Sequence, residues 1–343
     1  MSQPLPTTRS SPSSAISAQW PEAESEITPL LATTSSDPTP TSTSSQPAFT
    51  LRYARFADLS PAARTCSLAF WDDVLFGRLI HPHRSQYPTD VDKYWYRRFV
   101  VDWWDWSHVF LVTTETVPVK GDGDLQRVVD EPGPNRQATP KIQQKEIITG
   151  FAHWSRIAPS WRENYRAGWG LPWWDPRRIL KPLFSLIFHH ILPFVSPNRA
   201  ASSQHESIIE QSVDYLDHIW TGERAESWYL ECLAVHPAFQ RRGQGRALVD
   251  WGLEQARKEG IAASVIAADG KERFYQKCGF DVGPVGRSGE GLGNPLHDVP
   301  GGLVFFRDKE GVVVKKREVG SWIEGPEGVF DWDGWLKERK KGS

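Results

Sequence analysis

One stretch constrains this chain more than any other: Leu233-Ala-Val-His-Pro-Ala-Phe-Gln-Arg-Arg-Gly-Gln-Gly-Arg-Ala-Leu248. An apolar strand ends at Val235 and His236-Pro237 turns the chain. A helix opens at about Gly243, its apolar positions Ala247, Leu248, Trp251, Leu253 and Ala256 recurring at helical spacing as far as Lys258. Gly243 and Gly245 carry no Cβ, so a ligand can approach the backbone of the first turn closely. That turn also presents unpaired N–H groups and the positive end of the helix dipole. Together these make a site for a pyrophosphate. Arg241, Arg242 and Arg246 add side-chain charge in the same place. The plain alternative is a solvated basic helix start after a tight turn. The motif GxxxxGK[ST] is absent, and Ala247 and Leu248 follow where a dinucleotide fingerprint needs its third glycine.

The rest of the chain supplies a sheet for this unit. Residues 1–48 are dense in Ser, Thr, Pro and Ala and read as a disordered tail. Residues 49–343 read as a single domain. Phe49 to Phe56 alternates as a half-buried strand does, and Ser60-Pro61 looks like a helix N-cap and first position. Residues 61–107 hold aromatic-rich helical stretches. His108 to Thr114 and Ile147 to Arg156 read as strands around a polar, mobile loop over 118–146. Residues 158–225 form a Trp/Pro-rich insertion or lid. Ser227 to Val235, Ala262 to Ala268 and Gly302 to Arg307 read as strands. Asp269 to Cys278 reads as a short helix opened by an Asp269-x-x-Glu272 capping box, and Gly286 to Gly293 as a loop. The order predicts an α/β fold, a mixed central sheet flanked by helices.

Composition removes several function classes. The net charge of −2 points to neither nucleic acid nor an anionic membrane surface, although local clusters stay open. Three widely spaced cysteines, Cys66, Cys232 and Cys278, fit free thiols in a reducing compartment. No basic-then-apolar leader opens the chain. Arg9 is the one basic residue before Arg52, against Glu22, Glu24, Glu26 and Asp37, so the expected location is cytoplasmic. Ile179 to Val195 is the longest apolar stretch. Lys181, Pro182, His189, His190 and Pro193 interrupt it, so it reads as a buried or interfacial cap and not as a membrane span. His81-Pro-His83 and His189-His190 lack partners at metal spacing, and no metal is expected.

Gln240-x-x-Gly243-x-Gly245 after a strand ending Ala-Val-His-Pro, followed by Arg273-Phe-Tyr-Gln-Lys-Cys-Gly-Phe280, resembles the GCN5-related N-acetyltransferase (GNAT) family. The likeness is tight over about 227–283 and extends to 49–157 only in the order of elements. Within the family the two blocks look closest to the serotonin N-acetyltransferase-like, small-amine branch.

The resemblance implies a GNAT-like acyl-CoA N-acyltransferase fold, a sheet splayed beside the motif strand, and acetyl-CoA as cosubstrate. On it, the backbone of Leu233, Ala234 and Val235 would hold the thioester and pantetheine, with an N–H near Leu233 as oxyanion donor. Gln240, Arg241, Arg242, Gly243, Gln244, Gly245 and Arg246 would hold the pyrophosphate. An alkylamine with a pKa of about 10.4 must lose a proton before attack, and a base helps. Glu231 is the preferred base. Tyr229 sits two residues away on the same strand and so on one face. The small-amine enzymes carry two histidines at these two positions. Tyr275 matches the tyrosine that approaches the CoA sulfur.

His236 caps the turn. Cys232 is expected on the face opposite Glu231, and neither it nor Cys278 has a positioned histidine in the sequence, so direct transfer in a ternary complex is expected. Trp154, Trp161, Trp169, Trp173 and Trp174 would either face the acceptor or simply build a lid core; the expected acceptor is an amine, with a hydrophobic small molecule first and a protein amine second. A non-catalytic acyl-CoA-binding module is the competing reading.

Overall fold

In the computed structural model the described residues are 49–119, 143–172, 174–216 and 218–311, with Lys337 and Lys341. The expected tail (1–48), residues 120–142 of the expected loop, and Trp173 lie outside them.

Among the described residues seven strands form one sheet: β1 (Thr50–Tyr53), β2 (His108–Val119), β3 (Gln143–Ile157), β4 (Ser227–Val235), β5 (Ala262–Ala267), β6 (Val282–Arg287) and β7 (Leu303–Arg307). Their order is β1-β2-β3-β4-β5-β7-β6. Only β4 and β5 pair parallel; the other neighbours are antiparallel. Helices cover both faces, as the mixed pattern of the sequence predicts. On one face α1 (Leu59–Ala69) and α2 (Pro88–Asp102) bury Phe99, Phe110, Phe151, Cys232 and Ala234. On the other lie two further helices, Gln244–Glu259 and Glu272–Cys278, over Trp154, Trp228, Leu248, Leu253 and Phe305. Further helices, α3 (Trp161–Arg166), α4 (Arg177–Val195) and the short, unnumbered Ile208–Ser212, precede them in the chain. The Gln244–Glu259 and Glu272–Cys278 helices are therefore α5 and α6. Each fully buried large side chain in these layers contributes about 1.5–3 kcal/mol.

Two features of β4 position the site. Against β3 it is paired along its whole length, but His153 faces Cys232 while Trp154 faces Leu230, which leaves Glu231 as the extra residue of a β-bulge. Against β5 it is paired only from Ser227 to Leu230. Beyond the bulge β4 turns away from β5, and the sheet opens along Glu231 to Val235. The bulge also reverses which side chains point where. Trp228 and Leu230 pack beneath α5, whereas Cys232 and Ala234 pack beneath α1 and α2.

Several sequence expectations change. β2 and β3 run into the stretch read as a loop, to Val119 and from Gln143. α1 starts at Leu59 and not at Ser60, because Asp58 already closes a 3-10 turn by accepting the Arg55 N–H at 2.7 Å. α6 starts at Glu272, since residues 268–271 form a separate turn. The Glu272 carboxylate accepts from the Gly270 N–H at 3.2 Å, and Lys271 stands at the N-cap position of α6. β6 was not expected. It lies at the edge of the sheet, where a proline such as Pro284 is tolerated, and it takes Gly286 out of the expected loop. Trp154 is buried beneath α5, its indole N–H donating to Leu248 O at 3.2 Å, and does not face an acceptor. Among the described residues of α4 none is buried, so the buried reading of 179–195 gives way to the interfacial one.

Candidate active site

The glycine turn has the conformation that a phosphate cradle needs. Gly243 caps α5 with φ +84°, and Arg241 also sits at positive φ, +64°. A Cβ at Gly243 would meet open space, and one at Gly245 would lie 3.5 Å from Phe274 and 3.6 Å from Val235. The first turn of α5 is thus bare of side chains on its open side. The side chains around it are largely committed to holding the turn. Gln240 donates to Val235 O at 3.1 Å. Arg242 reaches Glu115 at 2.9 Å and stacks on Phe239. Arg246 donates to Lys277 O at 2.7 Å and pairs with Asp250. Gln244 turns inward and is buried. Its Oε1 accepts from the Thr113 and Thr149 hydroxyls at 2.7 and 2.8 Å, and its Nε2 donates to Glu115 at 2.7 Å. These bonds tie α5 to β2 and β3, leaving its backbone N–H groups for an anion.

At the bulge, Glu231 meets residues that no sequence motif marks. His108 Nδ1 and His153 Nε2 lie 2.7 Å apart. His153 Nδ1 is 3.4 Å from Glu231 Oε2, and His108 Nδ1 is 3.7 Å from Glu231 Oε1. His108 Nε2 lies 3.8 Å from Asp105, which also pairs with Lys181. The two histidines share a face because His153 is registered against Phe110, two residues from His108, and stacks on it. Cys232 packs with Phe99 and Phe110, the rings His153 touches, so it lies on Glu231's side of the sheet and not opposite it. The bulge breaks the alternation on which that expectation rested.

The charges sort by surroundings. Burial pushes His153 down to about 3, and positive His108 and Arg98 push the same way against Glu231. Burial opposes charge on His108 too, yet Glu231, Asp105 and Asp102 outweigh it and raise its pKa. Burial would raise Glu231, but the two imidazoles and the Ser155 hydroxyl hold it below its ordinary value. Asp105 is held at about 2, because His108 and Lys181 overcome its burial, while burial lifts Asp102 to about 6. We assign the protons accordingly: His153 neutral with Nδ1–H toward Glu231, and His108 donating Nδ1–H to His153 Nε2. Glu231 keeps 29% of its side-chain surface, so a substrate or water can reach it.

Tyr229, Glu231, Cys232 and Tyr275 come close enough to shift one another. Burial raises the Tyr229 phenol first, then Glu231 and Tyr275; burial raises Tyr275, with Cys232 and Cys278 adding to it. Of the three expected catalytic residues, Tyr229 lies within electrostatic reach of both Glu231 and Tyr275. His236 does cap the following turn, its Nδ1 accepting from the Ala238 N–H at 3.2 Å. The three thiols are free; Cys66 and Cys232 lie 3.9 Å apart, and burial pushes Cys278 up to about 11. Trp161 and Trp169 line a pocket with Asp105, Ser107, Asn164 and Lys181, while Trp174 is exposed.

Asp102, His108, His153 and Glu231 also bring four donor atoms within 4.8 Å of one another, a set able to hold a metal ion. The sequence did not suggest it because the four come from α2, β2, β3 and β4. The signal that existed was the alternation of His108 with Phe110 and of Phe151 with His153, but it needs the register to be read.

Residues 206–282 match the family model for the acetyltransferase (GNAT) domain, which reaches into the stretch read as an insertion. No curated protein matches the sequence significantly. Similar solved structures include histone acetyltransferase HPA2 and related acetyltransferase from Corynebacterium glutamicum (16% identity, 78% of this chain and 99% of that one, TM-score 0.41). PaiA N-acetyltransferase from Thermoplasma acidophilum with coenzyme A is 10% identical over 76% of this chain and 98% of its own, at TM-score 0.33. Mosquito arylalkylamine N-acetyltransferase like 5b is 14% identical over 76% and 99%, at TM-score 0.31. The residues matched by the family model include β4, α5, β5 and α6, and the mixed sheet that parts between β4 and β5 has the arrangement that the sequence resemblance implies.

Proposed function

We propose that this chain is an acetyl-CoA-dependent N-acyltransferase that moves an acetyl group directly to an amine, a small molecule in the first instance. The observation that carries the reading is the opening of the sheet between β4 and β5, with a bare glycine turn beyond the end of β4 and Glu231 at the bulge where the pairing stops. The pyrophosphate would lie on the N–H groups of 241–246, and the pantetheine and thioester along Leu233 to Val235.

Glu231 stands ionised at neutral pH and takes the amine proton, directly or through water. The amine nitrogen forms the new bond to the carbonyl carbon, an N–H near Leu233 stabilises the oxyanion, and the carbon–sulfur bond breaks. A phenol raised above its ordinary value is a weaker acid than a thiol of pKa about 8.5. Tyr275 therefore steadies the departing sulfur by a hydrogen bond more than by full proton transfer, and Tyr229 lines the same space. Cys278 stays protonated and Cys232 is buried against Cys66, which supports transfer without an acyl-cysteine. Free thiols also support a reducing, cytoplasmic setting.

The test is calorimetric titration of acetyl-CoA into the protein, with Gly245→Glu as control, followed by an amine panel read by thiol release. Binding lost in Gly245→Glu, with turnover lost in Glu231→Gln, supports the reading. Binding without turnover on any amine would instead make it a CoA-binding module, and no binding by folded protein would refute the site.

A further inference from the structure

We infer that α4 is an interfacial helix that lays this protein on an anionic lipid surface. Its two sides differ. Lys181, Phe184 and Phe188 face the domain: Lys181 pairs with Asp105, Phe184 stacks on Trp104 at 5.1 Å, and Phe188 stacks on Phe184. Beyond its end, Arg97 donates to Ser196 O at 2.5 Å. On the opposite side Ile179, Leu183 and Leu186 follow the i, i+4, i+7 spacing of one helical stripe and stand in solvent, as do Ile191, Phe194 and Val195. Ile179 is 71% and Phe194 87% exposed, values at which a folded domain gains nothing from a large apolar side chain unless something else covers it.

Charge selects the cover. Residues 158–200 carry six lysines and arginines against two acids, in a chain whose net charge is −2. Arg177, Lys181 and Arg199 pair with Asp175, Asp105 and Asp90, which leaves, among the described residues, Arg162, Arg166 and Arg178 to meet an outside charge. No acid occurs between Asp175 and Glu206. Arg162 and Arg166 of α3 are exposed, and α3 shares the Trp161–Lys181 pocket with α4. Trp174 (66% exposed), Trp161 and Tyr165 stand nearby in solvent, and such rings favour the boundary between headgroups and acyl chains. An apolar stripe with basic and aromatic flanks is the pattern of a helix lying in the membrane plane.

The helix is long and apolar enough to cross a bilayer by length and composition. It is nonetheless held to the domain at Lys181, Phe184 and Phe188, and Lys181 lies within the stretch that would have to sit in hydrocarbon. Its covered face borders the pocket beside His108, on the side of the helix away from the exposed stripe.

The test is flotation of the full-length protein with vesicles of phosphatidylcholine alone or with 30% phosphatidylserine (about a third anionic, to give the surface its potential), at low and high salt. Co-flotation with the anionic vesicles only, released by salt, is expected. Arg178→Glu and Arg166→Glu should each lower the bound fraction by about fivefold or more, and Ile179→Asp with Phe194→Asp should abolish it while the melting temperature holds. Equal binding to both vesicles, no binding to either, or retention through alkaline carbonate, as for a spanning helix, would overturn the inference. So would a dimer in lipid-free solution that the Ile179→Asp/Phe194→Asp variant dissolves.

Discussion

Replacing Gln244 with leucine keeps the volume of a buried side chain but removes the acceptor and donor that fasten α5 to the sheet. The Thr113 hydroxyl loses its acceptor at 2.7 Å, Thr149 loses one of two, and Glu115 loses one of its two partners. A buried polar group left unsatisfied costs about 1–3 kcal/mol. Thr149 can still donate to Thr113 O and Glu115 keeps Arg242, so we expect about 2–4 kcal/mol in all, which lowers Tm by roughly 4–12 °C. The backbone N–H of residue 244 survives, but the turn from Gly243 to Gly245 loses its anchor. The KM for acetyl-CoA should therefore rise while kcat changes less. Gln244→Glu separates the parts: a carboxylate still accepts both hydroxyls but confronts Glu115, so its loss should be intermediate and should shrink as the pH is lowered. Scanning calorimetry and steady-state kinetics read both effects. A Tm within a degree of wild type for Gln244→Leu would show that these bonds do not hold the helix.

Glu231→Gln should reduce kcat/KM by about 10²–10⁴-fold. Because Glu231 heads the charges that raise His108, the same variant should move the His108 ring titration, followed by NMR, to lower pH. Since Glu231 is held below its ordinary value, wild-type kcat/KM should show no loss from its protonation above about pH 5. Asp90 is fully buried and held well below the usual carboxylate range by Arg199 and Lys93. Its contribution is complete above about pH 4 and is lost as pH falls further, so Asp90→Asn should flatten the acid decline of Tm. In Gly252→Ala the new Cβ would fall 2.3 Å from the Trp154 ring. Tm should fall despite a helix-propensity gain of about 1 kcal/mol.

The strand, turn and helix from Leu233 to Glu259 and the Tyr275-to-Phe280 block were legible because their signals are local: a period change from 2 to 3.6 and glycines where the backbone must turn left-handed. Those signals place the phosphate turn and, through one element order, the mixed sheet. The edge strand β6, rich in glycine and proline, carries no such periodicity, and the caps at Ser60 and Asp269 lost to turns that close one to three residues away. What only the tertiary structure decided is the neighbourhood of Glu231. Its bulge is defined by a count against β3, and a strand cannot show on its own that its alternation has slipped. His108 and His153 lie on strands separated by the 120–142 stretch and meet Glu231 through register alone. Their pKa directions follow from burial, from Glu231 and Asp105, and from charges on α2 and α4, which no single sequence window contains.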